Sequence, residues 1–188
     1  MPTDAQLQQL LDKQDIMEVV GGRYSRALDW LDLDQLKTCF WQDGWVDYGF
    51  FEGNAHEWCD AVMPIEAGSL HRFHYCFNIR VVVNGDRADA ESNSIAGGRR
   101  EDEKGEMTQS FFGSRYLDTL ERRQGEWRIL ERRTLLEFAQ VLPAGGAPGD
   151  GLEGLELVSG LGPDHPLYRV MGRLLRPLQG TKDATASG

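Results

Sequence analysis

The stretch HRFHYCFNIRVVVNGDRADAES, residues 71 to 92, decides the architecture. Phe73, Tyr75, Phe77 and Ile79 alternate with Arg72, His74, Cys76 and Asn78, which is the period of a strand and not of a helix. NGDR, residues 84 to 87, is hairpin chemistry, and beyond it Ala88 and Ala90 alternate with charged residues as a returning strand would. Toward the C-terminus the pattern repeats. Residues 71–83, 87–99, 107–121 and 126–139 are expected as long strands, with EDEKGE and RRQGE in the later turns, so the second half is an antiparallel meander.

Before residue 69 the period is helical. Leu7, Leu10, Leu11, Ile16, Val19, Val20, Tyr24, Ala27, Leu28 and Leu31 recur at three- and four-residue steps, predicting a helix over 4–31 with one buried face. Gly21 and Gly22 lie inside it, where each costs about 1 kcal/mol relative to alanine, and they predict close packing or a kink. A short helix is expected to follow Asp32 and run to Phe40. GWVDYGFFEGN predicts a strand that turns at Glu52-Gly53, and NAHEWCDAVMPIEAG a helix capped by Asn54. Helices followed by hairpin-linked strands predict an α+β fold: helices packed on one face of a curved antiparallel sheet, with a ligand cavity between them. From Pro143 the composition shifts, since ten of the 22 glycines and five of the seven prolines lie there. The division is therefore a body over 1–142 and a Gly/Pro-rich arm over 143–188. The arm is expected to carry a short docking helix in HPLYRVMGRLLRP and a disordered end.

The chain has 30 acidic against 20 basic side chains, a formal charge of -10, which argues against nucleic-acid and anionic-membrane partners. No apolar run is long enough for a membrane span and the N-terminus lacks a signal-peptide layout, so a cytoplasmic location is expected. Cys39, Cys59 and Cys76 are odd in number and widely spaced, as free thiols would be. Gly149, Gly151 and Gly154 spell a dinucleotide fingerprint without the strand that should precede it, and no G-x-S-x-G occurs. On one strand His71 and His74 face opposite sides, and His74 with Cys76 lacks a third ligand, so neither metal nor cofactor is expected.

Proton transfer is what remains for His74, which shares a strand face with Cys76 and Asn78. A lone strand histidine is more often structural than catalytic, and a partner changes that balance. Asp29 ends the long helix, where the macrodipole disfavours a carboxylate unless a donor compensates it. A histidine could be that donor; an equal alternative is that Asp29 caps the next helix. Tyr24, five residues earlier, stands within reach of the same cavity mouth.

RYSRALDWLDLDQLKTCFWQDGWVDYG, HYCFNIRVVVNGDRADAES and GSRYLDTLERRQGEWRILERRTLLEF resemble, in order and spacing over about residues 8–140, the polyketide-cyclase-like (SnoaL-like) branch of the nuclear transport factor 2-like superfamily. The pattern is similar to its hexachlorocyclohexane dehydrochlorinase, bile-acid dehydratase and scytalone dehydratase members. The resemblance implies a cone-shaped α+β barrel and a cofactor-free lyase with a His-Asp dyad at His74 and Asp29. It further implies that Tyr24, Tyr48 and Arg132 assist, with Arg133 leaving the inward arginine open by one position. Arg132 stands five residues after Trp127, and lysine replaces Tyr24 in the dehydrochlorinase, so no substrate carries over. Trp45, Tyr48, Phe50, Phe51 and Trp58, with Asn78, are the expected lining for a ring-bearing, mostly apolar substrate. A homo-oligomer, dimer or trimer, is expected. Two rivals stand beside this reading: a structural β subunit of a ring-hydroxylating dioxygenase, which the last of these stretches also resembles, and a non-catalytic small-molecule binder.

Overall fold

The computed structural model of the protein describes residues 1–144. The expected arm helix and disordered end lie outside the described residues. The N-terminal segment forms α1 (Asp4–Met17), a π-helical turn (Glu18–Arg23) and α2 (Tyr24–Asp29), one after the other without a break. Thr3 opens α1 with a capping box to Gln6. The two glycines fall in the π turn, and the reason is contact: a Cβ on Gly21 would stand 2.8 Å from Ile79 Cδ1. Of the two anticipated alternatives it is the close packing that occurs, in a helix that widens to a π turn at that place. Leu31 at φ 53 ends this segment, and Asp32 caps α3 (Leu33–Thr38) by accepting from Gln35 N.

β1 (Phe40–Asp47) and β2 (Glu52–Asn54) form a hairpin whose turn is Tyr48–Phe51, not Glu52-Gly53 as the sequence suggested. Gly49, at φ 79, takes the left-handed turn position, and its N–H is accepted by Asp47 Oδ1. Asn54 then caps α4 (Ala55–Ala67), its side chain accepting from His56 N and Glu57 N.

The meander comprises β3 (His71–Asn84), β4 (Arg87–Glu101), β5 (Met107–Arg123) and β6 (Glu126–Pro143). The six strands lie in the order β2-β1-β6-β5-β4-β3, a curved, unclosed sheet with β2 and β3 at its edges. All pairings are antiparallel except β1 with β6, which is parallel. The helices pack against the inner face of this sheet. Ile16, Val20, Ala27 and Leu28 bury against Phe40, Val46, Trp58, Leu120 and Ile129 in one core. Asp12, itself buried, fastens α1 to the sheet by accepting from Trp127 Nε1 at 3.0 Å and Arg122 Nη1 at 2.7 Å. No helix among the described residues is long and apolar enough to cross a membrane.

Candidate active site

Helix and strand meet where Asp29 faces His74. The His74 ring nitrogen Nδ1 lies 2.8 Å from Asp29 Oδ1, and the His74 backbone N–H donates to Asp29 Oδ2 at 3.2 Å. A carboxylate only accepts, so Nδ1 carries the proton and Nε2 is the free acceptor of the neutral ring. Both donors that a carboxylate at a helix C-terminus requires come from His74; the next helix is capped by Asp32. Arg72 holds the arrangement together. Its guanidinium donates to the backbone carbonyls of Asp29 (3.0 Å), Glu66 (2.9 Å) and Ser69 (3.0 Å), tying the ends of α2 and α4 to β3.

His74 opens onto a cavity of about 1030 Å³ between the helices and the sheet. Tyr24, Tyr48 and Trp58 line it together with Tyr116, and Phe50 lies at its exposed edge. The phenols of Tyr24 and Tyr48 share a hydrogen bond of 2.8 Å, and Tyr48 stacks on Trp58 at 4.3 Å between centroids. Directly beneath, Arg132 is fully buried. It forms a bidentate pair with Asp118, 2.7 Å at each contact, and lies 4.2 Å from the ring centroids of both Tyr24 and Tyr116. Burial opposes its charge, and the facing Asp118 carboxylate outweighs that, so the guanidinium stays charged.

The structure thus brings His74, Asp29, Tyr24, Tyr48, Trp58 and Phe50 to one cavity or its wall. It separates others. Arg132 does not line the cavity but sits under its phenol floor, because Asp118 on the neighbouring strand claims its fork. Arg133, one residue on, points to the outer face, 58% exposed, beside Asp47 and Trp45. Trp45 is outward too: it stands between Gly44 and Val46, both buried on the inner side of β1, and so faces away. Asn78 is exposed at a β-bulge, at φ 52. The extra residue between Phe77 and Arg80 resets the alternation, bringing Ile79 to the helix side with Cys76, contrary to the simple period-two reading. Phe51 packs on the core and does not line the cavity. Missed in the sequence were Tyr116, Glu66 and the hydroxyls of Ser110, Ser114 and Thr134, all of which line the cavity. Trp58, Val62 and Glu66 recur every fourth residue of α4, a signal that would have found Glu66. Among the described residues no group of three or more His, Cys, Asp or Glu side chains could hold a metal.

Burial of the floor has a consequence for alkaline stability. It raises the Tyr24, Tyr48 and Tyr116 phenols above their ordinary range and the Cys39 thiol to about 12. For an acid whose folded pKa is raised, the stabilisation is complete below the unfolded value and is lost as pH rises through the folded one. The unfolded thiol ionises near 8.5 and the phenols near 10, and beyond those points each group costs about 1.4 kcal/mol per pH unit. Thermal melts are therefore expected to be level near neutrality and to fall steeply from about pH 9 to 11. A melting temperature unchanged across that window would contradict the buried placement of these groups.

A family model described as the SnoaL-like domain matches residues 8–133. No curated protein matches the chain. Among solved structures, a type 2 hexachlorocyclohexane dehydrochlorinase superimposes with a TM-score of 0.66 at 17% identity, covering 77% of this chain and 98% of its own. A candidate scytalone dehydratase from Novosphingobium aromaticivorans gives 0.62 at 20% identity, covering 76% and 95%. An ntf2-like protein from the same species gives 0.57 at 23% identity, covering 71% and 86%. At these identities the likeness is one of fold.

Proposed function

The chain belongs to the SnoaL-like domain family of the nuclear transport factor 2-like superfamily, and from that premise we propose that it is a lyase working without a cofactor. In this reading His74 Nε2 removes a proton from carbon, or from a hydroxyl, of a mostly apolar, hydroxylated aromatic or alicyclic substrate. The electrons of the broken bond form the new double bond as the leaving group departs; retro-aldol release of a small aldehyde such as formaldehyde uses the same parts. Asp29 holds the ring in the Nδ1–H tautomer and stabilises the imidazolium that forms. The observation that carries the reading is the 2.8 Å contact of Nδ1 with Asp29 Oδ1 on a ring that opens onto the cavity.

The coupled phenols of Tyr24 and Tyr48 supply a hydrogen-bond donor to developing negative charge, and Arg132 beneath them makes that donation stronger. With Trp58 and Phe50 they favour a ring-bearing substrate, and a cavity of about 1030 Å³ has room for more than one ring. A structural subunit or a passive binder has no use for a carboxylate–imidazole pair turned into such a space. Tyr75, Phe77, Leu135 and Phe138, exposed on the sheet, favour self-association, and we place the homo-oligomer in the cytoplasm.

The test is incubation of the purified protein, with nothing added, with a panel of hydroxylated and halogenated aromatic and alicyclic compounds, followed by mass spectrometry. Loss of water, hydrogen halide or formaldehyde from at least one compound, faster than in its absence, is the expected result. Tight binding of panel members with no mass change would overturn the lyase reading in favour of a binder.

A further inference from the structure

Glu66 completes an arrangement that a His-Asp dyad does not require. It lies in the last turn of α4, its side chain is 16% exposed, and its Oε1 is 3.9 Å from Nε2 of His74, the nitrogen that Asp29 leaves free. It lines the same cavity. The end of α4 is an electrostatically poor place for a carboxylate, and no basic residue lies in that last turn. Among the described residues no hydrogen bond closes on its carboxylate, and 3.9 Å is beyond a hydrogen bond to His74. Yet its backbone is fixed. Arg72 binds its backbone carbonyl and that of Asp29 with one guanidinium, while Arg100 Nη2 holds Ile65 O at 2.6 Å. Two carboxylates therefore flank one imidazole: Asp29 is bonded at Nδ1, and Glu66, anchored through its backbone with its carboxylate free to turn, is 3.9 Å from Nε2 on the cavity wall.

Resting on the reading of His74 as the base, we propose that Glu66 is a second catalytic carboxylate that takes the proton His74 has removed and delivers it to a departing oxygen. The step balances. The carbon–hydrogen bond breaks and its electrons form the double bond, the proton going to Nε2. The carbon–oxygen bond breaks with its electron pair left on oxygen. The Glu66 side chain turns the remaining distance to the imidazolium, Nε2 passes the proton to Oε1, and Oε1 gives it to that oxygen as water, leaving imidazole and carboxylate as they began. A halide leaves as a stable anion and needs no such proton. Glu66 therefore fits the site for substrates that lose a hydroxyl, and because donor and base are adjacent, the proton and the oxygen leave from one face of the substrate.

A β-hydroxytetralone, which loses water to give a naphthol, and its β-chloro counterpart, which loses hydrogen chloride to give the same naphthol, separate these roles with one fluorescence readout. Glu66→Gln, close in shape and checked for folding by its thermal melt, is expected to lower kcat for water loss roughly 10²-fold with little change in KM. The chloride reaction should lose at least about tenfold less, and Glu66→Asp should restore part of the water loss. Equal losses on both compounds, or none on either, would overturn the assignment. His74→Ala tests the base separately, since it should suppress both reactions.

Discussion

His74→Ala is expected to abolish turnover while leaving a folded protein. Among the described residues the ring is the group of the cavity positioned both to accept a proton, through Nε2, and to have the resulting charge met at once by a carboxylate, through the 2.8 Å contact with Asp29. Alanine removes the base and leaves the strand intact, since β3 is held by its ladder to β4. Asp29→Asn keeps the shape and can still accept the His74 backbone N–H, but it loses the charge. Its amide can also turn an N–H toward Nδ1 and so force the proton onto Nε2, the wrong tautomer. A loss of roughly 10²- to 10⁴-fold in kcat is expected, the span attributed to a positioned acid or base. His71→Ala is the control. It lies three residues away on the same strand, beside Phe73 on the outer side, and should change the rate far less. Near-normal turnover by a folded His74→Ala protein would refute the mechanism and return His74 to a structural role.

The long N-terminal helix and the three hairpins of the meander were legible because each rests on local chemistry, while the turn of the β1–β2 hairpin lay a few residues before the position read. Asn54 caps the helix that follows it, and the two glycines marked the close packing at the π turn, whereas the cap of α3 is Asp32 and not Asp29. Asp29 and His74 stood out for a similar reason, since a carboxylate at a helix end and an imidazole in an apolar strand both ask for partners. What could not be read depends on register. The bulge at Asn78 adds one residue and reverses every facing assignment after it, and Asn is the residue type that tolerates the left-handed backbone there. Two further irregularities, at Gly113/Ser114 and Thr119/Leu120, decide which residue of β5 opposes which of β6. Until those are fixed, nothing indicates that Asp118 faces Arg132. Trp45 is different: the alternation with Val46 was available and pointed it outward, but its aromatic character outweighed its parity.

Breaking the Arg132–Asp118 pair is expected to have the largest effect on stability. Both side chains are essentially without solvent, 0% and 1% exposed, and their two 2.7 Å contacts are parallel. Arg132→Leu leaves the Asp118 carboxylate buried with no cation, a situation that costs about 3–5 kcal/mol. For a chain of this size each kcal/mol lowers the melting temperature by roughly 2–4 °C, so a fall on the order of 10 °C is expected, or failure to fold. Asp118→Leu alone strands the opposite charge and should cost as much. The double variant Arg132→Leu, Asp118→Leu removes both charges. It gives up the contacts of the guanidinium with Tyr24 and Tyr116 but leaves nothing unpaired, so it should recover most of the lost stability. Purification and melting of the double variant decide the matter even if neither single variant folds. Costs that simply add in the double variant would mean that the pair contributes no mutual stabilisation, and that Arg132 is held by its tyrosine rings alone.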